Sequence, residues 1–399
     1  MGALYDEISA LDAAFHMPTY ARKQVLFVRG DGMRLYDDDG REYLDFVSGI
    51  GAVNLGHAHP AVAEAVSNQM RRLVHVSNLY HVEHRAALAE RLSELAGGGW
   101  KAFFCNSGTE AVEGAIKLAR RWGKARRGEL CFEIVTAERS FHGRTMAALS
   151  ATGQPSKQEA FAPLLAGFTH VPLNDIGALE ATVTERTCAV LLEPVQGEGG
   201  IYPCTDEYLA AARRICDERD VLLVFDEVQT GFFRTGAAFG WQGYGVRPDV
   251  MTLAKALANG LPAGALLATG SAADAFSPGD HGSTFGGGPV IAAAALATIA
   301  ALEAEGLGED AVRVGVLLRA SLGGLATTGA ITEVRGRGLM LAAALAEPRA
   351  QAVAASCLEH GLVLNAIGDR ILRFLPPLVC SEDETAILTD ALHTVLGAA

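Results

Sequence analysis

Residues 221–228 read VLLVFDEV, five apolar positions running unbroken into Asp226 and Glu227. A strand with one face in the core alternates apolar and polar side chains; an uninterrupted apolar run suits a strand covered on both faces, as in a mainly parallel sheet. The same texture returns in KAFFC (101–105), CFEIVT (131–136), CAVLLE (188–193) and DVMTLAK (249–255). Amphipathic stretches such as PAVAEAVSNQMRRL (60–73) and EHRAALAERLSELA (83–96) alternate with these runs. That pattern predicts an α/β fold, helices laid over a mainly parallel sheet.

The flanking texture differs. VLFVRGDGMRLYDDDGREYLDFV (25–47) reads as a small meander of short strands turned at Asp31-Gly32 and Asp39-Gly40. Gly286-Gly287-Gly288-Pro289 closes the α/β block, and an Ala-rich helix from Val290 to about Glu305 follows. The last hundred residues read as helix, strand (EVRGRGLMLAAAL, 333–345), helix, strand (LRFLPPLV, 372–379) and helix. The expected division places residues 56–290 in a large domain. Residues 1–55 and 291–399 form a smaller α+β domain built from both termini, with the site at the junction.

Over 399 residues the formal charge is −13, which disfavours nucleic acid as a partner. The Arg120, Arg121, Lys124, Arg126, Arg127 cluster reads as favourable charge at a helix C-terminus. Seven cysteines, odd in number and without a CxxC pair, indicate neither a disulfide framework nor a zinc ribbon. The pairs His57/His59 and His81/His84 lack an HExxH pattern and read as structural or interfacial, so no metal is expected. The longest nearly apolar run, Val290 to Leu302, is too short to span a bilayer, and the first residues do not resemble a secretory leader; the expectation is a cytoplasmic protein with no membrane partner.

Three places carry chemistry. In AFFCNSGTEAVEGAIKLARRW (102–122) a strand turns into a helix whose start holds Ser107, Gly108 and Thr109, and first-turn N–H groups with hydroxyls suit a phosphate. An ordinary Ser/Thr cap explains the same residues. Asp226, at the carboxyl end of a central strand, suits the nitrogen of a pyridine ring, holding it protonated so that the ring accepts electrons; a strand-end aspartate capping a turn is the plainer account. Lys255 lies among Leu253, Ala254, Ala256 and Leu257, an apolar setting that lowers an amine's pKa and makes it a nucleophile. A snorkelling lysine is the alternative there. Together, the three are the parts that pyridoxal 5'-phosphate requires.

With those residues in place, the chain resembles the class III, fold type I, pyridoxal-phosphate-dependent aminotransferases, and within them the acetylornithine aminotransferases. The resemblance runs from about Tyr20 to the last helix. It rests on GHAHP (56–60), NSGTE (106–110), FHGRT (141–145), EPVQGEGG (193–200), FDEVQTGFFRTG (225–236), LAKAL (253–257) and HGSTFGG (281–287).

It implies that Lys255 bonds the cofactor's aldehyde, that Asp226 pairs with the ring nitrogen, and that Ser107, Gly108 and Thr109 hold the phosphate. Phe141 stacks on the ring beside His142 and Val228, and Gln229 approaches the phenolic oxygen. Thr284 reaches the phosphate of a neighbouring subunit, which makes the expected assembly a homodimer. Arg144 grips a substrate carboxylate, Arg373 binds that of glutamate or 2-oxoglutarate, and Glu198 is a gate that pairs with Arg373 when the other substrate is bound. Ile50, where ornithine aminotransferases tend to carry tyrosine, favours an acylated donor.

The implied reaction moves the terminal amino group of N2-acetylornithine to 2-oxoglutarate. Succinylornithine, 4-aminobutyrate or ornithine are alternative donors, and a non-catalytic cofactor-binding protein is a remote one. Two positions depart from the family pattern: GGNP is GGGP here, at Gly286 to Pro289, and GLMLG is GLMLA, with Ala342.

Overall fold

The computed structural model describes residues 3–326 and 329–397. A seven-stranded sheet forms its centre, in the order Trp100–Cys105, Gly264–Thr269, Val250–Leu253, Leu222–Asp226, Thr187–Leu192, Glu133–Ala137, Phe168–Val171. Gly264–Thr269 runs antiparallel to both of its neighbours, and the remaining pairs are parallel. The five runs singled out in the sequence are therefore all strands of one mainly parallel sheet. FTHV (168–171) and GALLAT (264–269) add two more that the sequence reading had not separated from their surroundings.

The unbroken apolar runs have a direct physical origin. Side chains of Thr187–Leu192, Leu222–Asp226 and Val250–Leu253 are buried at every position. Successive residues point to opposite faces. Val190, Leu192, Leu223, Phe225, Met251 and Leu253 join one core. Ala189, Leu191, Leu222, Val224 and Val250 join the other, beneath Val112, Ile116 and Trp122 of the helix Gly108–Arg127. Because water touches neither face, no polar alternation survives.

The Ala-rich helix, Pro289–Ala304, packs by its small side chains on the first of these cores. The meander is present as Phe27–Asp31, Arg34–Asp37 and Glu42–Asp45, and a short strand late in the chain, Leu362–Val363, lies parallel to the last of them. A helix, Ala3–Phe15, precedes it and was not anticipated.

One expectation is corrected. EVRGRGLMLAAAL is not a single strand but a hairpin, Ile331–Arg337 against Met340–Leu345, turned at Gly338, whose φ is +54°. Gly336 is required next to that turn, since a Cβ there would lie 1.9 Å from the Met340 carbonyl oxygen. Met340–Leu345 then pairs with Ile371–Phe374, which pairs with Asn365–Ile367, completing a four-stranded sheet. Ile371–Phe374 stops short of Pro376 and Pro377, which have no N–H to give a ladder.

Candidate active site

Parallel strands of the central sheet deliver side chains at their carboxyl ends. Trp100–Cys105 leads to Asn106 and Ser107, Glu133–Ala137 to Phe141, His142 and Arg144, and Thr187–Leu192 to Glu193 and Glu198. Leu222–Asp226 ends on Asp226 and continues to Val228 and Gln229, and Val250–Leu253 leads to Lys255. The antiparallel strand Gly264–Thr269 begins at this same edge, so the loop before it, residues 260–263, closes the ring. These residues, with Gly108, Thr109 and Ala52, line one cavity of about 390 Å³. A crevice outside the carboxyl ends of the strands is where open α/β sheets hold ligands.

The helix Gly108–Arg127 starts at this edge. Ser107 caps it: its Oγ accepts from the Glu110 N–H at 3.3 Å and donates to the Glu110 carboxylate at 3.0 Å. That hydroxyl is thus engaged in the cap, whereas the N–H groups of Gly108 and Thr109 fall in the first turn, where no intrahelical acceptor exists and the helix dipole is positive. Gly108 has no room for a side chain, since a Cβ would come within 2.9 Å of Val228 Cγ1. Thr109 Oγ1 lies 2.7 Å from Thr145 Oγ1.

Asp226 is almost fully buried, and its neighbours define its orientation. His142 Nδ1 lies 2.9 Å from Oδ2; because a carboxylate only accepts, that nitrogen carries the proton. The Val228 N–H and the Thr252 hydroxyl donate to Oδ1 at 3.1 and 3.2 Å. Thr252 reaches it because the parallel register sets Thr252 directly beside Asp226.

Lys255 follows its strand with φ +48°, a left-handed conformation that a side chain seldom adopts. Burial lowers its pKa; the carboxylates of Glu198, Asp226 and Glu193 oppose that and the Arg373 guanidinium adds to it, leaving it at about 8. A larger fraction of neutral amine is available near pH 7 than on an exposed lysine.

Across the cavity, Arg373 Nη1 pairs with Glu198 Oε1 at 2.5 Å and Nε donates to Asn365 Oδ1 at 2.9 Å, with Arg373 only 1% exposed. Burial pushes the Glu198 carboxyl up, but the Arg373 guanidinium and the Lys255 and Lys157 amines together hold the pKa below the usual value. Arg144 stands exposed with its guanidinium 5.6 Å from the Phe141 ring centre.

Three expected residues lie outside the lining. Arg373 meets the lining only through its pair with Glu198. Thr284 is exposed, on the segment 283–286 that Asn78 Nδ2 holds through the Ser283 and Gly286 carbonyls. Ile50 is 36% exposed with φ +64°, two positions before the lining residue Ala52.

Sequence reasoning assigned no role to two buried groups. Glu193 accepts from the Phe141 N–H at 2.9 Å and the Gly197 N–H at 3.0 Å, and burial pushes its carboxyl up to about 7. It stands in the quoted EPVQGEGG, but nothing local says that it ties two loops together. Thr252 looks like any strand threonine until register is known.

A phosphorylated pyridine ring fits this set on independent observations. His142 Nε2 and Gln229 Oε1, on two lining residues, are buried without a hydrogen-bond partner, which is costly unless a ligand supplies one. Asp226 has three donors; a carboxylate has about four lone-pair directions, so one remains.

The class-III aminotransferase family model matches residues 17–396. The acetylornithine aminotransferase of Gloeobacter violaceus is 52% identical over 370 residues, 92% of this chain and 92% of its own length. That of Methanocaldococcus jannaschii is 45% identical over 386 residues, 96% of each. Among solved structures, the acetylornithine aminotransferase of Elizabethkingia anophelis superposes with a TM-score of 0.89 at 32% identity, covering 99% of both chains. The ornithine aminotransferase of Toxoplasma gondii gives 0.94 at 31% identity, covering 99% of this chain and 95% of its own.

Proposed function

The chain belongs to the class-III aminotransferases, a pyridoxal-phosphate-dependent family, and from that premise we propose that it transfers the terminal amino group of N2-acetylornithine to 2-oxoglutarate. The products are N-acetylglutamate 5-semialdehyde and glutamate, a step of arginine biosynthesis. The observation that carries the reading is the sharing of one cavity by Lys255, Arg144 and the Glu198 of the Glu198–Arg373 pair. The acyl donor is favoured by relatives 45–52% identical that are named acetylornithine aminotransferase.

The residues divide the work. Gly108 and Thr109, with the helix dipole, would hold the phosphate, and Phe141 and Val228 would lie beside the ring. Asp226, oriented by His142, keeps the ring nitrogen protonated, and Gln229 Oε1 and His142 Nε2 are available for polar partners. When bound, pyridoxal phosphate supplies an aldehyde that carries the amino group and a ring that accepts the electron pair left when carbon loses a proton. Lys255 Nζ removes that proton from the amine-bearing carbon of the donor, which requires the neutral amine that burial favours.

Arg144 binds the donor's carboxylate. Glu198 neutralises Arg373 while the donor is bound, so no unpaired buried cation is left in the site. When 2-oxoglutarate enters, one of its carboxylates replaces Glu198 on the guanidinium, whose planar fork matches it. One pocket thereby takes two unlike substrates in turn.

The working assembly is a homodimer in the cytoplasm, each Thr284 completing the other subunit's phosphate site. Its exposure supports this, as do the neighbouring Val74, Leu79, Tyr80 and Phe285, all more than half exposed. No single described helix is long and apolar enough to cross a membrane.

The test is a donor panel with 2-oxoglutarate, reading glutamate formation. N-acetylornithine should react best, and inactivity with it beside a vigorous 4-aminobutyrate reaction would overturn the substrate. Lys255→Ala protein that still turned over repeatedly would overturn the mechanism.

A further inference from the structure

Glu198 sits at the tip of a two-stranded hairpin, Val195–Gln196 against Tyr202–Pro203. That hairpin rests on the four-stranded C-terminal sheet, with Val195 and Ile201 packed against Met340, Ala342 and Leu375. On the sheet, Arg335 is opposite Ala342, and Ala342 is opposite Arg373. Directly opposed residues present their side chains on the same face. A single cross-strand row therefore aims two arginines at one hairpin tip, separated by a methyl group.

Arg373 holds the tip by the Glu198 carboxylate. Arg335, 7% exposed, holds it by the backbone: Nε and Nη2 donate to the Gly200 carbonyl at 2.9 and 2.7 Å. Its guanidinium lies 3.9 Å from the Tyr202 ring centre, and Nη1 pairs with Glu333 at 2.6 Å. Gly200 is closely seated, for a Cβ there would approach Ile371 Cδ1 to 2.8 Å.

We propose that Arg335 is a positioning residue that sets which substrate the site favours: by pinning Gly200, it holds Glu198 against Arg373. The inference rests on the exchange at Arg373 described above. A dicarboxylate binds only when Glu198 has left, so its apparent affinity is reduced by the fraction of sites held closed. Loosening the second anchor lowers that fraction. Dicarboxylates should then bind more tightly and the acyl donor more weakly, with the chemical step little changed.

The experiment uses the holoenzyme. The dissociation constant of glutarate is read from the absorbance of the bound cofactor, and KM for each substrate from its own half-reaction. Arg335→Lys, which loses the double donation and the flat stack, should tighten glutarate about fivefold, raise KM for N-acetylornithine and leave kcat within about twofold. Tyr202→Leu, which keeps the hydrogen bonds, should shift both in the same direction by less. Glu198→Ala should shift glutarate at least as far, and adding Arg335→Lys to it should change nothing more, because the two act through one equilibrium.

Arg337, next but one on the strand, pairs with Asp206 at 2.7 Å instead; Arg337→Lys should leave both constants unchanged and controls for damage to the strand. Unchanged glutarate binding in Arg335→Lys, beside a shift in Glu198→Ala, would overturn the role of Arg335 alone. Unchanged binding in Glu198→Ala would instead remove the exchange on which it depends.

Discussion

In its proposed role Lys255 Nζ must be neutral to attack an aldehyde, and burial lowers its pKa from 10.5 to about 8. The rate at which cofactor-free protein bonds pyridoxal phosphate should therefore rise with pH and level off above about 8, some two pH units earlier than for an exposed lysine. Stopped-flow absorbance checks this; a rate still climbing at pH 10 would contradict it. Asp226 was readable from sequence because a charge closes an apolar run, whereas its supports were not, being His142 from one loop and Thr252 from the neighbouring strand. Asp226→Asn retains the shape but no longer offers a full negative charge to a protonated ring nitrogen. It should slow the donor half-reaction about a hundredfold or more, with rapid quench as the measurement.

Among the elements, the helix Pro289–Ala304 has Gly288 at its N-cap and no side-chain hydrogen bond there. A Cβ at Gly288 would meet only the Phe285 carbonyl oxygen, at 3.2 Å. Gly288→Asn should be accepted and add a few tenths of a kcal/mol, about the difference between these two residues at an N-cap; denaturant melts would detect it as a raised midpoint at constant m. The hairpin tip behaves differently. A Cβ on Gly197 would lie 2.3 Å from Gln229 Oε1, so Gly197→Ala must displace a cavity side chain. Cofactor affinity should fall about tenfold or more while helix content is unchanged, as fluorescence titration and circular dichroism would show. Motif position alone gives no hint of either outcome, since both are simply glycines in Gly-rich stretches.

For the molecule as a whole, two buried carboxyls, Glu193 and Glu227, are pushed by burial up to about 7 from 4.5. A carboxyl whose folded pKa is raised contributes stability fully below its unfolded value, and loses it as pH rises through the folded one. The window is thus about pH 4.5 to 7, with the folded state losing ground toward the alkaline side. Glu227→Gln should flatten the fall in melting temperature between pH 5 and pH 8, measured by calorimetry; parallel curves would contradict the assignment. The chain itself determined the layers: short apolar runs of strand length, set between amphipathic stretches, suit strands covered on both faces, and its ordered motifs carried the family and the cofactor. Tertiary structure alone decided which residues meet. Asp226 beside Thr252, Glu193 bridging the loops of Phe141 and Gly197, and Arg335 in line with Arg373 all follow from strand register and crossover. Register is fixed by packing across the sheet, between segments that local sequence cannot relate to one another.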